Sequence, residues 1–296
     1  MQKVFLFFAV VALVGLTGCL EFDAQEVHLR YDRKADQLDA LLIYRGLYSD
    51  ADDLQKAIDQ LATVQRGDRW IALGGNFPFA WNFDQIDGDN PILKAVAREI
   101  RVSNGPLWRD GEGKLCGCQF VRMTRVSAIL DVSNKEFMKQ FDTIEKAKTF
   151  LPDDADPDSA ELMMRAAQTG HRFFQFRGSA LRFSMPLSDV GARAVRLAIL
   201  GELRESIENN KDDDKKEVDQ LLEFLARNDC SIDRAGNDLT FTIGNPRRPK
   251  VLLDLLPREK YDDKLLKELV ARKWDINEDY TIAAARKAFA DFCAEK

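Results

Sequence analysis

The sequence predicts an α+β fold in which antiparallel β-hairpins alternate with helices. Three observations lead there. Four pairs of β-type segments are each joined by a polar turn. Between the pairs lie stretches with apolar residues at helical spacing. The composition, 45% hydrophobic and 31% charged over 296 residues, is that of a globular chain, enough for one large domain or two small ones.

The elements follow in order. From Glu26 to Asp32, Val27, Leu29 and Tyr31 alternate with Glu26, His28 and Arg30, the pattern of a half-buried strand. After a polar turn, Leu38 to Tyr48 reads as a more central strand around Leu41-Leu42-Ile43-Tyr44. Ser49 and Asp50 suit the cap of a helix to about Val64, with Leu54, Ile58 and Leu61 on one stripe. Trp70 to Leu73 is a short strand broken by Gly74-Gly75, and Ile92 to Val96 follows Pro91 as a short helix. Ile100–Leu107 and Leu115–Val126 form a second hairpin, and Ser133–Phe150 a helix.

Two prolines and a run of acids make residues 151–159 the sharpest break in the chain. It divides an α+β region over 26–150 from another over 160–296, either separating two similar halves or forming a loop within one domain. Asp158 or Ser159 caps the next helix, to about Gln168. A third hairpin joins His171–Arg177 to Leu181–Met185. A long helix runs from Ser188 to Asn209, with a partner around Val218–Leu225. A fourth hairpin joins Cys230–Arg234 to Leu239–Ile243. Val251–Leu256 reads as a strand, and two helices near 263–272 and 277–294 end the chain.

The formal net charge is −6. Sequence-independent nucleic-acid binding needs a basic surface, so no nucleic-acid partner is expected. With two histidines in the whole chain, no metal site is expected either, and no cofactor. No Gly-x-Ser-x-Gly, His-Glu-x-x-His or phosphate-binding loop pattern occurs.

The strongest functional signal is at the N-terminus. Lys3 precedes an apolar run from Val4 to Leu16, the layout of a secretory signal peptide. At a rise of about 1.5 Å per residue this run is about 20 Å long, short of a bilayer core of about 30 Å. It closes on Leu16-Thr17-Gly18-Cys19, which resembles the lipobox of bacterial lipoproteins, Leu-[Ala/Ser/Thr]-[Gly/Ala]-Cys. The resemblance implies that residues 1–18 are removed as a signal peptide. It implies a diacylglyceryl group on the Cys19 sulfur and an acylated, often palmitoylated, amine. It places the protein in the bacterial cell envelope, and Leu20 rather than Asp after the cysteine favours the outer membrane, facing the periplasm. The rest of the chain resembles exported lipoproteins of no assigned activity. Cleavage removes only Lys3 among the charged groups, so the body stays acidic and the lipid must supply the membrane affinity. Residues 19–25 read as the lipidated end and a short tether; 20–25 reach at most about 20 Å.

Four further cysteines, Cys116, Cys118, Cys230 and Cys293, are candidates for disulfides, including one tying the last helix to the core through Cys293. Phe77, Phe79 and Trp81 alternate after Gly74-Gly75, either as one buried side of an irregular strand or as an aromatic platform for a glycan or protein partner. Arg45 is a further binding candidate among many strand arginines. These either pair with helix carboxylates or form an anion-binding strip. Asp154, Asp156 and Asp158 have calcium-loop spacing, but Ser159 and Arg165 stand where glycine and glutamate are needed, so helix-start acids explain them better. No catalytic residue is singled out among the 49 acids. The expected role is a membrane-anchored, non-enzymatic binding or scaffolding lipoprotein. The alternatives are an envelope hydrolase using carboxylates and an assembly factor for exported proteins.

Overall fold

A computed structural model describes residues 20–49, 54–66, 70–71, 81–82, 91–178, 180–196, 231–244, 251–255 and 261–295. The fold is α+β with antiparallel sheets, as the segment pattern predicts. The chain divides into two compact units. Among the described residues, one is Val126–Val251 and the other joins those from Leu20 to Arg125 to those from Leu252 onward. The first is inserted into the second. The break read at 151–159 therefore lies inside a unit. The reason is packing: Leu151, Ala155 and Ala160 all join the same core, so the acids and prolines shape a loop rather than a boundary.

The outer unit is built on β1 (Leu20–Asp32) and β2 (Gln37–Ser49), paired from Leu20↔Ser49 to Asp32↔Gln37. Asp32 closes their turn by accepting from the Lys34 and Ala35 amides. The ladder skips one position, Asp23 opposite Gly46. Gly46 holds φ +63°, and a Cβ there would lie 2.7 Å from the Asp23 Cβ, so the position needs glycine. β7 (Leu115–Met123) pairs with β2, while β5 (Ile100–Asn104) and β6 (Trp108–Arg109) share the far edge of β7. β12 (Val251–Leu255) completes the sheet beside β1. A separate pair, β3 (Trp70–Ile71) and β4 (Trp81–Asn82), is antiparallel too.

Helices cover both faces of this sheet. α1 (Leu54–Arg66) and a helix over Lys264–Ala271 bury Ile58, Leu61, Leu265 and Leu269 on one side. The helix over Ile282–Phe292 packs Ala285 and Phe289 against Leu41, Ile43, Trp108 and Phe120 on the other. A short helix, Pro91–Glu99, leads into β5. β1 runs from Leu20, six residues ahead of the strand start expected at Glu26. Leu20, Phe22 and Ala24 alternate with Glu21, Asp23 and Gln25, but the phase shifts at Gln25-Glu26, and the double cover buries all of Leu20 to Val27. The expected tether over 20–25 is thus part of the sheet. The side chains of buried Tyr44 and Gln119 and half-buried Asn104 form a relay that ends on the Val64 carbonyl, fastening α1 to the sheet.

In the inserted unit, β10 (Ser231–Ala235), β11 (Asp238–Ile243), β9 (Ala180–Pro186) and β8 (Phe174–Arg177) form an antiparallel sheet in that spatial order. Its helices are Val126–Met138, Ile144–Phe150, Pro157–Gln168 and residues 189–196. The first starts seven residues before the expected Ser133, because β7 stops at Met123 and Arg125 turns the chain at φ +51°. Phe137 is the hub of the core. Its ring meets Phe141, Phe150, Phe173, Phe174 and Phe183 edge-on, with centroids 4.9 to 5.7 Å away. Such pairs add about 0.5–1.5 kcal/mol each beyond area burial.

Among the described residues, no helix is long and apolar enough to cross a membrane. Phe137→Ala is expected to lower the stability of the inserted unit by about 3–5 kcal/mol. Hydrogen exchange of the β9 amides measures this; a loss under about 1 kcal/mol would show that the hub is dispensable.

Candidate functional site

The outer unit's sheet carries its ionisable side chains in two places, one under the last helix and one at the Leu20 end. Under the last helix, cross-strand pairing puts β1 residues 26, 28 and 30 on the same face as Ile43, Leu41 and Asp39. The Glu26 carboxylate is almost wholly buried there. Arg286 reaches it from the helix, Nε at 2.8 Å and Nη2 at 2.6 Å, and His28 Nε2 contacts the same oxygen. Burial alone would raise this carboxyl. The hydrogen bonds and charges of His28 and Arg286 outweigh it and hold the group below the ordinary range.

One step along, Asp39 accepts from Arg122 Nε at 2.8 Å and from Gln37. Arg122 also donates to the Phe292 carbonyl and lies over the Phe292 ring, 4.5 Å from its centroid. Register places Arg30, Asp39, Arg122 and Arg101 in one row across four strands. In this row Arg122 meets a carboxylate from the sheet itself, where a helix carboxylate was one of two expectations. Together these contacts form a clasp that holds the final helix onto the sheet.

Cys116 and Cys118 lie on this same face, side by side as i and i+2. Both are buried free thiols, and Cys293 at the end of the last helix is a free thiol as well. The expected tie through Cys293 is therefore absent; Arg122 and Arg286 hold that helix instead. Burial pushes the Cys116 thiol up to about 12 and the Cys118 thiol up to about 11. The thiolate is the reactive form, so at neutral pH both are inert. Cys230 lies outside the described residues.

The second cluster sits at the Leu20 end. The Leu20 amide donates to Gln60 Oε1 at 2.9 Å, which fixes the first residue of β1 against α1. Three residues on, Asp23 Oδ2 takes Lys114 Nζ at 3.0 Å. Lys114 also pairs with Glu112 and lies over the Tyr261 ring. The Tyr261 hydroxyl accepts from the Leu115 amide. Asp110 orders the turn by accepting from the amides of Glu112 and Lys114.

Of the other sequence candidates, Arg45 lies on β2, opposite Ala24 on one side and Cys116 on the other. It is half-buried within the sheet. Trp81 is placed by its backbone in β4, opposite Ile71. Cys19, Phe77 and Phe79 lie outside the described residues. Sequence reasoning missed Asp39, Lys114 and Arg286. Asp39 had a signal: it is a lone carboxylate within the apolar run Leu38 to Tyr44.

In the inserted unit, Asp156 caps the helix Pro157–Gln168 and accepts from both Ser159 and Ser188 hydroxyls at 2.6 Å. A Cβ on Gly191 would fall 1.9 Å from Ser159 Oγ, so two helix starts share one tight polar knot. This matches the reading of the 154–158 acids as helix-start residues. A shallow groove of about 280 Å³ is lined by Asp189, Arg193, Arg196 and Arg234; Arg234 is paired to Asp189 at 2.7 Å. No group of three or more His, Cys, Asp or Glu converges as a metal set among the described residues.

No protein-family model matches the chain, and neither a curated protein nor a solved structure matches it significantly.

Because the Glu26 carboxyl is lowered in the folded state, its stabilisation is fully present above the unfolded value of about 4.3 and is lost as pH falls through the folded value. Glu26→Gln is expected to flatten that acid limb of a stability–pH curve. Arg286→Ala should cost about 1–3 kcal/mol at pH 7, less than a fully buried pair because Arg286 is half exposed. An unchanged acid limb in Glu26→Gln would show that the clasp does not act through this carboxylate.

Proposed function

We propose that this protein is a lipid-anchored lipoprotein of the bacterial cell envelope, held by an acylated Cys19 and serving a non-enzymatic binding or scaffolding role. The outer membrane, facing the periplasm, is its site on this reading. The observation that carries the proposal is the N-terminal motif: a short apolar run behind Lys3 closes on Leu16-Thr17-Gly18-Cys19, the pattern of a lipobox.

The non-enzymatic part is supported by how the charged groups are used. Glu26, Asp39 and Asp156 are each engaged by neighbouring side chains that fasten helices in place. Cys116 and Cys118 are held as thiols by burial. A general base or nucleophile needs a free lone pair near a ligand, and these groups have theirs committed to the fold.

Cys19→Ala is expected to move the protein from the membrane pellet to the soluble fraction, and intact mass of the wild type to report a chain starting at an acylated Cys19. A variant that still pellets after a high-salt wash, or an unmodified Cys19, would overturn the anchor. A glycan or protein partner is the binding expected, on the aromatic segment Phe77–Trp81.

A further inference from the structure

We infer that the Leu20 end of the outer unit rests directly on the phospholipid surface, with no leash between lipid and fold. This rests on the reading of Cys19 as the acylated residue. The argument starts from chain length. A residue spans at most about 3.6 Å, and one residue, Cys19 itself, separates the acyl chains from β1. Leu20 has no slack to give. Its amide is bonded to Gln60 Oε1, and it is fully buried together with Phe22 and Leu47 of the same strand pair. Freeing even three residues would expose this apolar surface and break the ladder at Leu20↔Ser49, Glu21↔Tyr48 and Phe22↔Leu47.

The surface that meets the headgroups is therefore the rim around Leu20. Asp23 lies three residues along β1, about 10 Å at the rise of a strand, and Lys114 binds it. This brings the turn 110–114 alongside, with Glu112 largely exposed. Tyr261 lies against Gly46 and under Lys114, and Asp262, Asp263, Lys264 and Lys267 follow it. The rim's described lysines are all ion-paired: Lys114 with Asp23 and Glu112, Lys264 with Asp262, Lys267 with Asp263. The opposite turn, around Ala35, is twelve residues further up β1, about 40 Å along the strand.

The test uses the full acylated protein in vesicles of phosphatidylethanolamine and phosphatidylcholine carrying a headgroup quencher. A fluorescent amino acid replaces Glu112 in one sample and Ala35 in another. A second pair carries a Gly/Ser insert of about 16 residues between Cys19 and Leu20, with a mean span of about 20 Å. The expected result is strong quenching at 112, weaker quenching at 35, and a fall of about twofold or more at 112 with the insert. Equal quenching at 112 with and without the insert, in protein that mass spectrometry shows to be acylated and vesicle-bound, overturns the direct contact and leaves the anchor standing. An unmodified Cys19 with protein left in solution overturns both, and the mass tells the two failures apart.

Discussion

The paired ladder of β1 and β2 is the constraint on which the outer unit depends. Every other strand of that sheet is placed by it: β7 on β2, β5 and β6 on β7, and β12 on β1. The ladder also carries chemistry to opposite ends of one scaffold. Asp23 near its start binds Lys114, while Glu26 and Asp39 take the arginines that secure the last helix. The skipped position at Asp23 and Gly46 is part of the same device. It leaves room for Tyr261 to approach the strand, which a side chain at residue 46 would block.

Covering this sheet on both faces has an electrostatic consequence. Charged residues on a half-exposed strand would sit in water. Here Glu26 and Asp39 are buried, and an unpaired carboxylate in that position would cost several kcal/mol. Each is matched by an arginine, Arg286 for one and Arg122 for the other. The pairs add little net stability compared with apolar packing, but they tie the final helix to the sheet: Arg286 reaches Glu26 from it, and Arg122, held by Asp39, donates to the Phe292 carbonyl. The inserted unit solves its own problem differently. Its core is a cluster of phenylalanine rings around Phe137, and its polar precision is spent at a helix-capping knot of Asp156, Ser159 and Ser188.

Nesting of one unit within another is compatible with the chain path because both crossings occur at the sheet. The chain leaves at the end of β7, where Glu99 fixes Thr124 and Arg125, and returns in β12 at the edge beside β1. Thus the outer unit's sheet is closed only after the whole inserted unit has been made. Long-range pairing of this kind raises contact order and slows folding relative to two units in tandem.

Much of the secondary structure was legible in the sequence because each hairpin and helix states its own period. Val27, Leu29 and Tyr31 mark a strand; Leu54, Ile58 and Leu61 mark a helix face; polar turns separate the hairpins. The lipobox-like motif is legible for the same reason, since it lies in consecutive residues. Residues 20–25 also alternate, Leu20, Phe22 and Ala24 against Glu21, Asp23 and Gln25, but the phase breaks at Gln25-Glu26, so the stretch reads as a tether after the lipobox-like motif rather than as the start of the strand. At 151–159 the sequence leaves linker and loop open, because local turn chemistry looks alike in both; packing of Leu151, Ala155 and Ala160 on one core makes it a loop. The clasp was hidden by distance: Glu26 and Arg286 are 260 residues apart, and Arg122 meets a carbonyl 170 residues away. The sequence by itself determined the hairpins, the helices and the N-terminal motif, all set by local periodicity and short-range chemistry. Only the tertiary structure decided the nesting of the units, the pairing of the buried charges and the place of Leu20–Gln25 within β1, because each depends on which distant segment covers which face.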